Sequence, residues 1–417
     1  MVPKSVTNLD LIQARVSEIP TGWELRKVKE ALNIRNNLRK PISQEVRDTI
    51  KGQYPYYGPT KVQGYISEYE QDGTYALIGE DGDHFLKYGI MAQTQFISGK
   101  CTVNNHAHIL ESSDTCDSEW FFNYFKHRDI TNFLSRQGSG RFKLNKATLE
   151  KLPILVPPLQ EQRKIARILT TWGNAISTTE KLIVNSKQQK KALMQQLLTG
   201  KKRLVNSETE KVFEGEWEEF KFDEIVTSTQ LGTTERAPNS EDKNTVPLLK
   251  MGNLSWGGIN CDKLEYLPRS QLDQSLLLRK GDFLFNTRNT PELVGKSAVW
   301  KDEVATATFD NNINRITFNL SMDPYYLCYY LTFGKGKSTI NSLPAGSTSV
   351  AAIYWKDLKN IRLVLPGLME QKTITSVLAT ADKEIELLEE KLAHLKQEKK
   401  ALMQQLLTGK RRVKIAA

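Results

Sequence analysis

The chain has 417 residues, a length that usually corresponds to two or three domains. Hydrophobic residues make up 39% of it and charged residues 25%, and no apolar run approaches the roughly 18 residues of a membrane span. The net charge of +10 favours a polyanionic partner, because each phosphate that Lys or Arg neutralises releases a counterion. The polar N-terminus has no apolar signal core, which predicts a cytoplasmic protein.

The first region, residues 1–156, alternates short apolar segments with turn clusters. Residues 74–79 and 103–110 predict strands, and residues 80–83 predict a turn. We therefore expect a mixed α/β domain.

A long helix is predicted next, in residues 157–204. Its apolar residues recur with the alternating four–three spacing of a coiled-coil seam. The predicted seam residues are Ile165, Leu169, Ile176, Leu193 and Leu197.

Residues 205–365 repeat this plan, with strands predicted at 282–286 and 314–318, and residues 366–417 form a second long helix with a basic tail. Pro366 and Gly367 mark the start of the helix and Gly409 its end. The second seam consists of Ile374, Leu378, Ile385, Leu388, Leu392, Leu402 and Leu406.

The two helices are copies of one sequence. Residues 190–201 recur without a change as residues 399–410, an offset of 209, and the same offset maps Glu161-Gln162 onto Glu370-Gln371. Matched lengths and seams favour packing of the two helices on each other. The alternative is that each packs on an unrelated hydrophobic surface.

These motifs carry a family resemblance. Pro-Pro-Leu-x-Glu-Gln, from Pro157, opens a helix that ends in Ala-Leu-Met-Gln-Gln-Leu-Leu-Thr-Gly-Lys, and the second copy differs by Gly367 in place of the second proline. This pattern resembles the spacer regions of type I restriction–modification specificity subunits. Residues 99–108 and 281–296 are similar to stretches common in the target recognition domains of that family.

The resemblance implies an α+β (mixed) fold: two α/β target recognition domains separated by two long antiparallel coiled-coil helices, with pseudo-twofold symmetry. It implies a sequence-specific DNA-binding subunit without a catalytic centre, which reads a bipartite asymmetric site with one domain per half-site. The implied partners are double-stranded DNA, two methylation subunits and two restriction/translocation subunits. S-adenosylmethionine, ATP and magnesium would belong to those partners, within a restriction endonuclease and adenine methyltransferase complex.

Base readout needs forked or planar donors on loops that enter a groove. Arg288 is the leading candidate, since it follows a predicted strand and precedes Pro291. The other predicted DNA-binding residues are Thr287, Asn289, Lys296, Ser347, Thr348, Tyr57, Lys61, Gln63, Gln137, Ser139 and Arg141. For each of them an ordinary turn or a solvated charge is the alternative.

Catalytic motifs are incomplete. Residues 323–326, Asp-Pro-Tyr-Tyr, lack the second proline of the amino-methyltransferase tetrapeptide, and Leu331 replaces the first glycine of a phosphate-binding loop that would end at 338. Four scattered cysteines form no C-x-x-C pair, and His106 with His108 makes a weak metal site. Two alternatives remain: a coiled-coil scaffold that does not read DNA sequence, and an enzyme with an unrecognised site.

Overall fold

The computed structural model describes residues 7–137, 141–235, 242–346 and 350–415. The chain divides into two compact units. Unit 1 takes the residues up to Glu180 together with those from Glu390 onward, and unit 2 takes Lys181–Glu389. Each long helix therefore contributes one part to each unit.

Unit 1 is built around a sheet of six strands in the order β2-β7-β5-β6-β3-β4, in which only β3 and β6 pair in parallel. Its described helices, including the long α6 that continues into unit 2, are α1 (Asn8–Ala14), α2 (Val28–Ala31), α3 (Gln44–Thr49), α4 (Ser118–Phe125), α5 (Lys146–Lys151) and α6 (Leu159–Leu197). Its described strands are β1 (Glu24–Lys27), β2 (Asn33–Ile34), β3 (Lys51–Tyr57), β4 (Val62–Ile66), β5 (Gln71–Gly79), β6 (Thr94–Val103), β7 (Ala107–Glu111), β8 (Ser135–Gln137), β9 (Arg141–Lys143) and β10 (Pro153–Val156).

Unit 2 divides its strands among smaller sheets, of which the largest has the order β12-β19-β15-β17. Its described helices are α7 (Phe222–Ile225), α8 (Pro324–Thr332), α9 (Gly334–Asn341), α10 (Trp355–Leu358) and the long α11 (Leu368–Leu406), which continues into unit 1. Its described strands are β11 (Glu218–Lys221), β12 (Val226–Leu231), β13 (Thr245–Leu249), β14 (Glu265–Pro268), β15 (Phe283–Asn286), β16 (Arg288–Asn289), β17 (Ser297–Val299), β18 (Thr308–Phe309), β19 (Ile313–Phe318), β20 (Ala345–Gly346), β21 (Ala351–Ala352) and β22 (Arg362–Leu365).

Each unit closes in the same way. The first strand of the domain pairs antiparallel with the strand that leads into the long helix: β1 with β10 in unit 1, and β11 with β22 in unit 2. In both units the helix that follows the central sheet begins at an aspartate cap, Asp117 or Asp323, whose side chain accepts from a backbone N–H of the first turn. The Asp-Pro-Tyr-Tyr segment is thus the start of α8.

The ends of the long helices belong to the domain cores. In unit 1, Ile165 and Leu169 of α6 and Leu406 of α11 are buried in one cluster with aromatic residues of α4. In unit 2, Leu197 of α6 and Leu378 of α11 are buried in the corresponding cluster. Burial of a leucine side chain contributes about 1.5–3 kcal/mol, so each helix end stabilises the domain that holds it.

The two helices run antiparallel within each unit. In unit 2, Lys187 of α6 pairs with Glu389 of α11 at 2.6 Å, and Lys190 pairs with Asp382 further back along α11. In unit 1, Glu180 pairs with Lys396 at 2.8 Å. The prediction that the two copies pack on each other is confirmed.

The predicted seam faces inward. Each of its residues is buried or half-buried: Ile165, Leu169, Ile176, Leu193, Leu197, Ile374, Leu378, Ile385, Leu388, Leu392, Leu402 and Leu406. Thr179 and Ser186 of α6, which stand where α11 has Leu388 and Leu395, are also buried. The Thr179 hydroxyl is satisfied by the Ala175 carbonyl of its own helix, at 2.8 Å.

One predicted strand is wrong. Residues 103–110 are not continuous, because a turn at residues 104–106 separates β6 from β7. The side-chain oxygen of Asn104 accepts from the backbone N–H of His106 at 2.8 Å, the hydrogen bond by which asparagine favours a turn. The strands predicted at 74–79 and 314–318 lie within β5 and β19.

Candidate nucleic-acid interface

In unit 2 a buried asparagine shapes the turn that carries Arg288. Strand β15 ends at Asn286, whose side-chain amide donates to the carbonyl of Arg288 at 3.0 Å and to that of Asn312 at 3.1 Å. Asn289 donates in turn to Asn286 Oδ1 at 3.0 Å, and the Thr287 hydroxyl donates to Asn312 at 3.0 Å. Thr287 and Asn289 therefore fix the turn, and their polar atoms are committed to it.

Arg288 differs from these neighbours. Its backbone is held in β16 by pairing with Ala352 of β21. Its side chain is exposed, and the guanidinium makes no hydrogen bond or ion pair with any residue that the structure describes. A free guanidinium on a rigid turn has the geometry that a forked contact to a guanine edge or a phosphate requires. Lys296 is half-buried beside this turn, and its carbonyl accepts from the Asn286 backbone at 2.8 Å.

The structure brings two predicted loops of unit 2 together. Strand β21 pairs with β16 on one side and with β20 on the other, so Gly346 lies in the same three-stranded sheet as Arg288. Ser347 and Thr348 lie outside the described residues. The turn and the strands β20 and β21 are termed here the unit 2 edge.

Unit 1 has a matching edge with different chemistry. Its central strand β5 leads into Glu80 and Asp81, and Asp81 bridges to Lys143 of the β8–β9 hairpin. Glu80 accepts from Arg39 at 2.6 Å, and Asp81 pairs with His106 at 2.9 Å. Thus acidic side chains that are hydrogen-bonded to Arg39 and His106 occupy the turn that carries a free arginine in unit 2. Of the predicted residues here, Ser139 and the side chains of Gln137 and Arg141 lie outside the described part of the chain.

The predicted loop of Tyr57, Lys61 and Gln63 joins this edge. Tyr57 is half-buried, whereas Lys61 and Gln63 are exposed. The oxygen of the Gln63 amide accepts from the Asn104 side chain at 3.0 Å, and the Asn104 backbone N–H donates to the Tyr57 carbonyl at 3.0 Å. These bonds connect the β3–β4 hairpin to the turn at residues 104–106, next to Asp81.

Sequence reasoning missed several residues at both edges. A cavity of about 330 Å³ in unit 1 is lined by Pro41, Ile42, Ser43, Arg47, Tyr56, Gln63, Asn104, Asn105 and His106. A larger one of about 620 Å³ in unit 2 is lined by Lys250, Met251, Gly252, Asn253, Asn260, Asp262, Lys263, Glu265, Asp310 and Asn312. Asn104 and Asn105 line the first cavity and Asn312 lines the second. The pairs Asn104-Asn105 and Asn311-Asn312 are turn signals that were readable in the sequence.

The repeated Glu-Gln pair anchors each helix to its domain. The Gln162 side chain accepts from the Asp117 backbone N–H at 2.8 Å and donates to the Pro157 carbonyl at 2.6 Å. Gln371 makes the equivalent bonds to Asp323 and Pro366, both at 2.9 Å. These buried contacts give the motif a structural role in both copies.

The cysteines and histidines provide no reactive or metal site in the described residues. No group of three His, Cys, Asp or Glu suited to a metal occurs there. Cys116 and Cys328 are buried, and burial raises the pKa of each thiol to about 12. His106 lies in the turn and His108 is buried on β7, so they do not share a strand face. No helix in the described ranges combines the length and apolar character needed to cross a membrane.

Two repeated α/β domains, each sharing its core with both long helices and each presenting a polar edge, define a modular recognition protein. The model of the type I restriction modification DNA specificity domain matches residues 20–185 and 214–397. The chain belongs to this family and is a specificity subunit of the type I class.

Relatives agree with this assignment, and a solved structure agrees with the fold. The chain is 29% identical over 411 residues to the type I restriction enzyme MjaVIII specificity subunit of Methanocaldococcus jannaschii, covering 95% of this chain and 94% of that one. It is 27% identical to a putative type I specificity subunit of Haemophilus influenzae, with 85% and 86% covered. The crystal structure of a type I S subunit from M. genitalium superposes with a TM-score of 0.61 at 12% identity, covering 96% and 98% of the two chains.

Proposed function

We propose that this subunit reads a bipartite, asymmetric DNA sequence, with one recognition domain for each half-site. The observation that carries the proposal is the contrast between the two edges. The same fold element ends in a free Arg288 in unit 2 and in Glu80 and Asp81, held by Arg39 and His106, in unit 1. Because groove readout depends on the donors and acceptors presented, two different edges select two different half-sites.

The remaining partners follow from family membership. Two methylation subunits and two restriction/translocation subunits assemble on this chain in the cytoplasm, and the polar outer faces of α6 and α11 are their docking surface. S-adenosylmethionine, ATP and magnesium are bound by those subunits. This chain holds no cofactor and performs no catalytic step.

A domain exchange tests the proposal. Residues 217–365 are replaced by the matching domain of a relative, and the variant is expressed with its methylation subunits in cells whose methylated adenines are mapped. One half of the methylated motif changes and the other half stays. The matched control exchanges the unit 1 domain, residues 20–156, and alters the opposite half. If both halves change together, the domains are not independent readers. If no motif depends on the chain, it is a scaffold.

A further inference from the structure

The first lysine of the repeated segment has a different environment in each unit. In unit 2 it is Lys190, whose ammonium pairs with Asp382 of the neighbouring helix. The second oxygen of Asp382 accepts from the Tyr329 hydroxyl at 2.6 Å. The positive charge of Lys190 is therefore balanced inside the protein.

In unit 1 the equivalent residue, Lys399, has no such partner. The offset of 209 places Gly173 where unit 2 has Asp382. A Cβ atom built on Gly173 would lie 3.1 Å from Lys399 Nζ, so the helix approaches the ammonium without offering it a carboxylate. Lys399 is half-buried and makes no hydrogen bond or ion pair with any described residue.

Two more basic residues lie near Lys399. Lys126 and His127 directly follow α4. When α4 and α8 are aligned at their aspartate caps, Asp117 and Asp323, the unit 2 residue equivalent to Lys126 is Thr332. The Lys126 ammonium lies 4.9 Å over the Phe122 ring. Burial lowers the pKa of Lys126 and that of His127, and the nearby Lys399 lowers both further. No described carboxylate pairs with Lys399 or Lys126, and His127 Nδ1 donates to the Tyr88 carbonyl at 2.9 Å. Unit 1 therefore has two partly buried ammonium groups without a carboxylate partner, whereas unit 2 pairs Lys190 with Asp382.

We propose that Lys399, Lys126 and His127 bind an oxyanion at the position that the Asp382 carboxylate occupies in unit 2, and that this oxyanion is a backbone phosphate of the bound DNA. A carboxylate and a phosphate accept the same charge-assisted hydrogen bonds from an ammonium group. Partly buried cations without a counter-charge are unfavourable, and an anion removes that cost. Naming DNA as the source rests on the proposed function, and the contact is independent of base sequence.

Two substitutions test the site. Lys399→Met removes the ammonium and places an apolar residue in the seam, and Gly173→Asp supplies the carboxylate that unit 2 already has. Each lowers the dependence of log K on log salt by about one unit, because one phosphate contact accounts for about 0.9. This decrease in the slope is equal on cognate and random duplexes. Lys396→Met, which removes an exposed charge paired with Glu180 at 2.8 Å, is the matched control and keeps the wild-type slope.

A second measurement separates the oxyanion chemistry from its source. Inorganic phosphate, titrated into the full chain assembled with its methylation subunits, raises the melting temperature of wild type but not of Gly173→Asp. Phosphate binding with unchanged DNA slopes overturns DNA as the source. If the salt slopes of both variants are unchanged and phosphate does not bind, the site is overturned. The proposed function still stands in that case if the protein discriminates between cognate and random duplexes. If the wild type does not discriminate between cognate and random duplexes, the proposed function itself is refuted.

Discussion

The guanidinium of Arg203 holds the buried carboxylate of Glu370 by two parallel hydrogen bonds, Nε to Oε1 at 2.6 Å and Nη2 to Oε2 at 2.7 Å. Unit 1 repeats this pair with Arg412 and Glu161, both bonds at 2.7 Å. In each case an arginine shortly after the end of one long helix binds the glutamate in the first turn of the other. The pairs differ in one donor, since the Trp23 indole adds a third bond to Glu161 at 3.0 Å.

Removal of Arg203 will therefore destabilise its unit more than removal of Arg412. Arg203→Ala leaves Glu370 buried without a donor, at a cost of about 3 kcal/mol. Arg412→Ala leaves Glu161 with the Trp23 hydrogen bond, so the loss of stability is smaller by roughly 1.5 kcal/mol. Hydrogen exchange resolved by unit measures both effects. The double variant Arg203→Ala with Glu370→Gln is the control and recovers stability; equal losses from the two arginine variants would refute the role given to Trp23.

Arg288→Ala will reduce affinity for the cognate duplex far more than for a random one. A forked contact to a base contributes about 1–3 kcal/mol of discrimination, whereas a phosphate contact weakens all sequences alike. Titration of the assembled methyltransferase on both duplexes at several salt concentrations distinguishes the two roles. Arg362→Ala, an exposed arginine paired with Glu219 at 2.6 Å, serves as the control. Equal losses on both duplexes would make Arg288 a phosphate contact.

His108 makes the stability of unit 1 dependent on pH. The oxygen of the Asn36 amide accepts from the Ile109 backbone, so its nitrogen donates to His108 Nδ1 at 2.8 Å, and His108 Nε2 donates to the Leu144 carbonyl at 2.7 Å. These partners require a neutral imidazole. Burial accordingly lowers the pKa of His108.

A lowered pKa fixes the sign of this effect. The unfolded chain takes up the proton near the ordinary histidine pKa of about 6.5 and the folded chain does not, so the free energy of unfolding falls as the pH drops below that value. Between pH 7.5 and pH 5.5, the free energy of unfolding measured with urea will fall more for wild type than for His108→Gln. Identical pH profiles for wild type and His108→Gln would show that the histidine does not contribute.

The long helices will act as the ruler for the nonspecific gap. One heptad inserted after Ser186 and one after Leu395 keep the seam in phase, because the coiled-coil pattern repeats every seven residues. The methylated motif then keeps both half-sites and gains a longer gap, or methylation is lost. Insertion of four residues at the same two places, which breaks the seam, is the control and abolishes methylation. An active heptad variant with an unchanged gap would exclude the ruler.

The helices and their pairing were predictable because they depend on periodicity and on a repeat, both of which are local properties of the sequence. Which helix end enters which domain core was not predictable. Leu406 is buried in one cluster with aromatic residues of α4 that are almost 300 residues away in the sequence. The asymmetry of Lys190 and Lys399 was hidden for the same reason. An identical lysine in two identical segments differs only through Asp382 and Gly173 on the partner helix.

The candidate interface was predicted in part. The turn at Arg288 was recognisable from the strand before it and from Pro291 after it. The engagement of Thr287 and Asn289 within the turn was not. Thr287 bonds Asn312 in the turn before β19, and Asn289 is held through Asn286, which also bonds Asn312. In unit 1 the sequence drew attention to Lys61 and Gln63 but not to Arg39, whose ion pair with Glu80 forms only when β5 and the first loops come together.

The division of the chain has a consequence for its synthesis. Unit 2 is a continuous segment and has all of its core once Glu389 has left the ribosome. Unit 1 needs Leu406 and Leu407, which are made roughly 10 to 45 s after Glu180 at the usual translation rates. The domain translated first is therefore completed last, and a premature stop near residue 390 removes core residues from the N-terminal domain while leaving the later one whole.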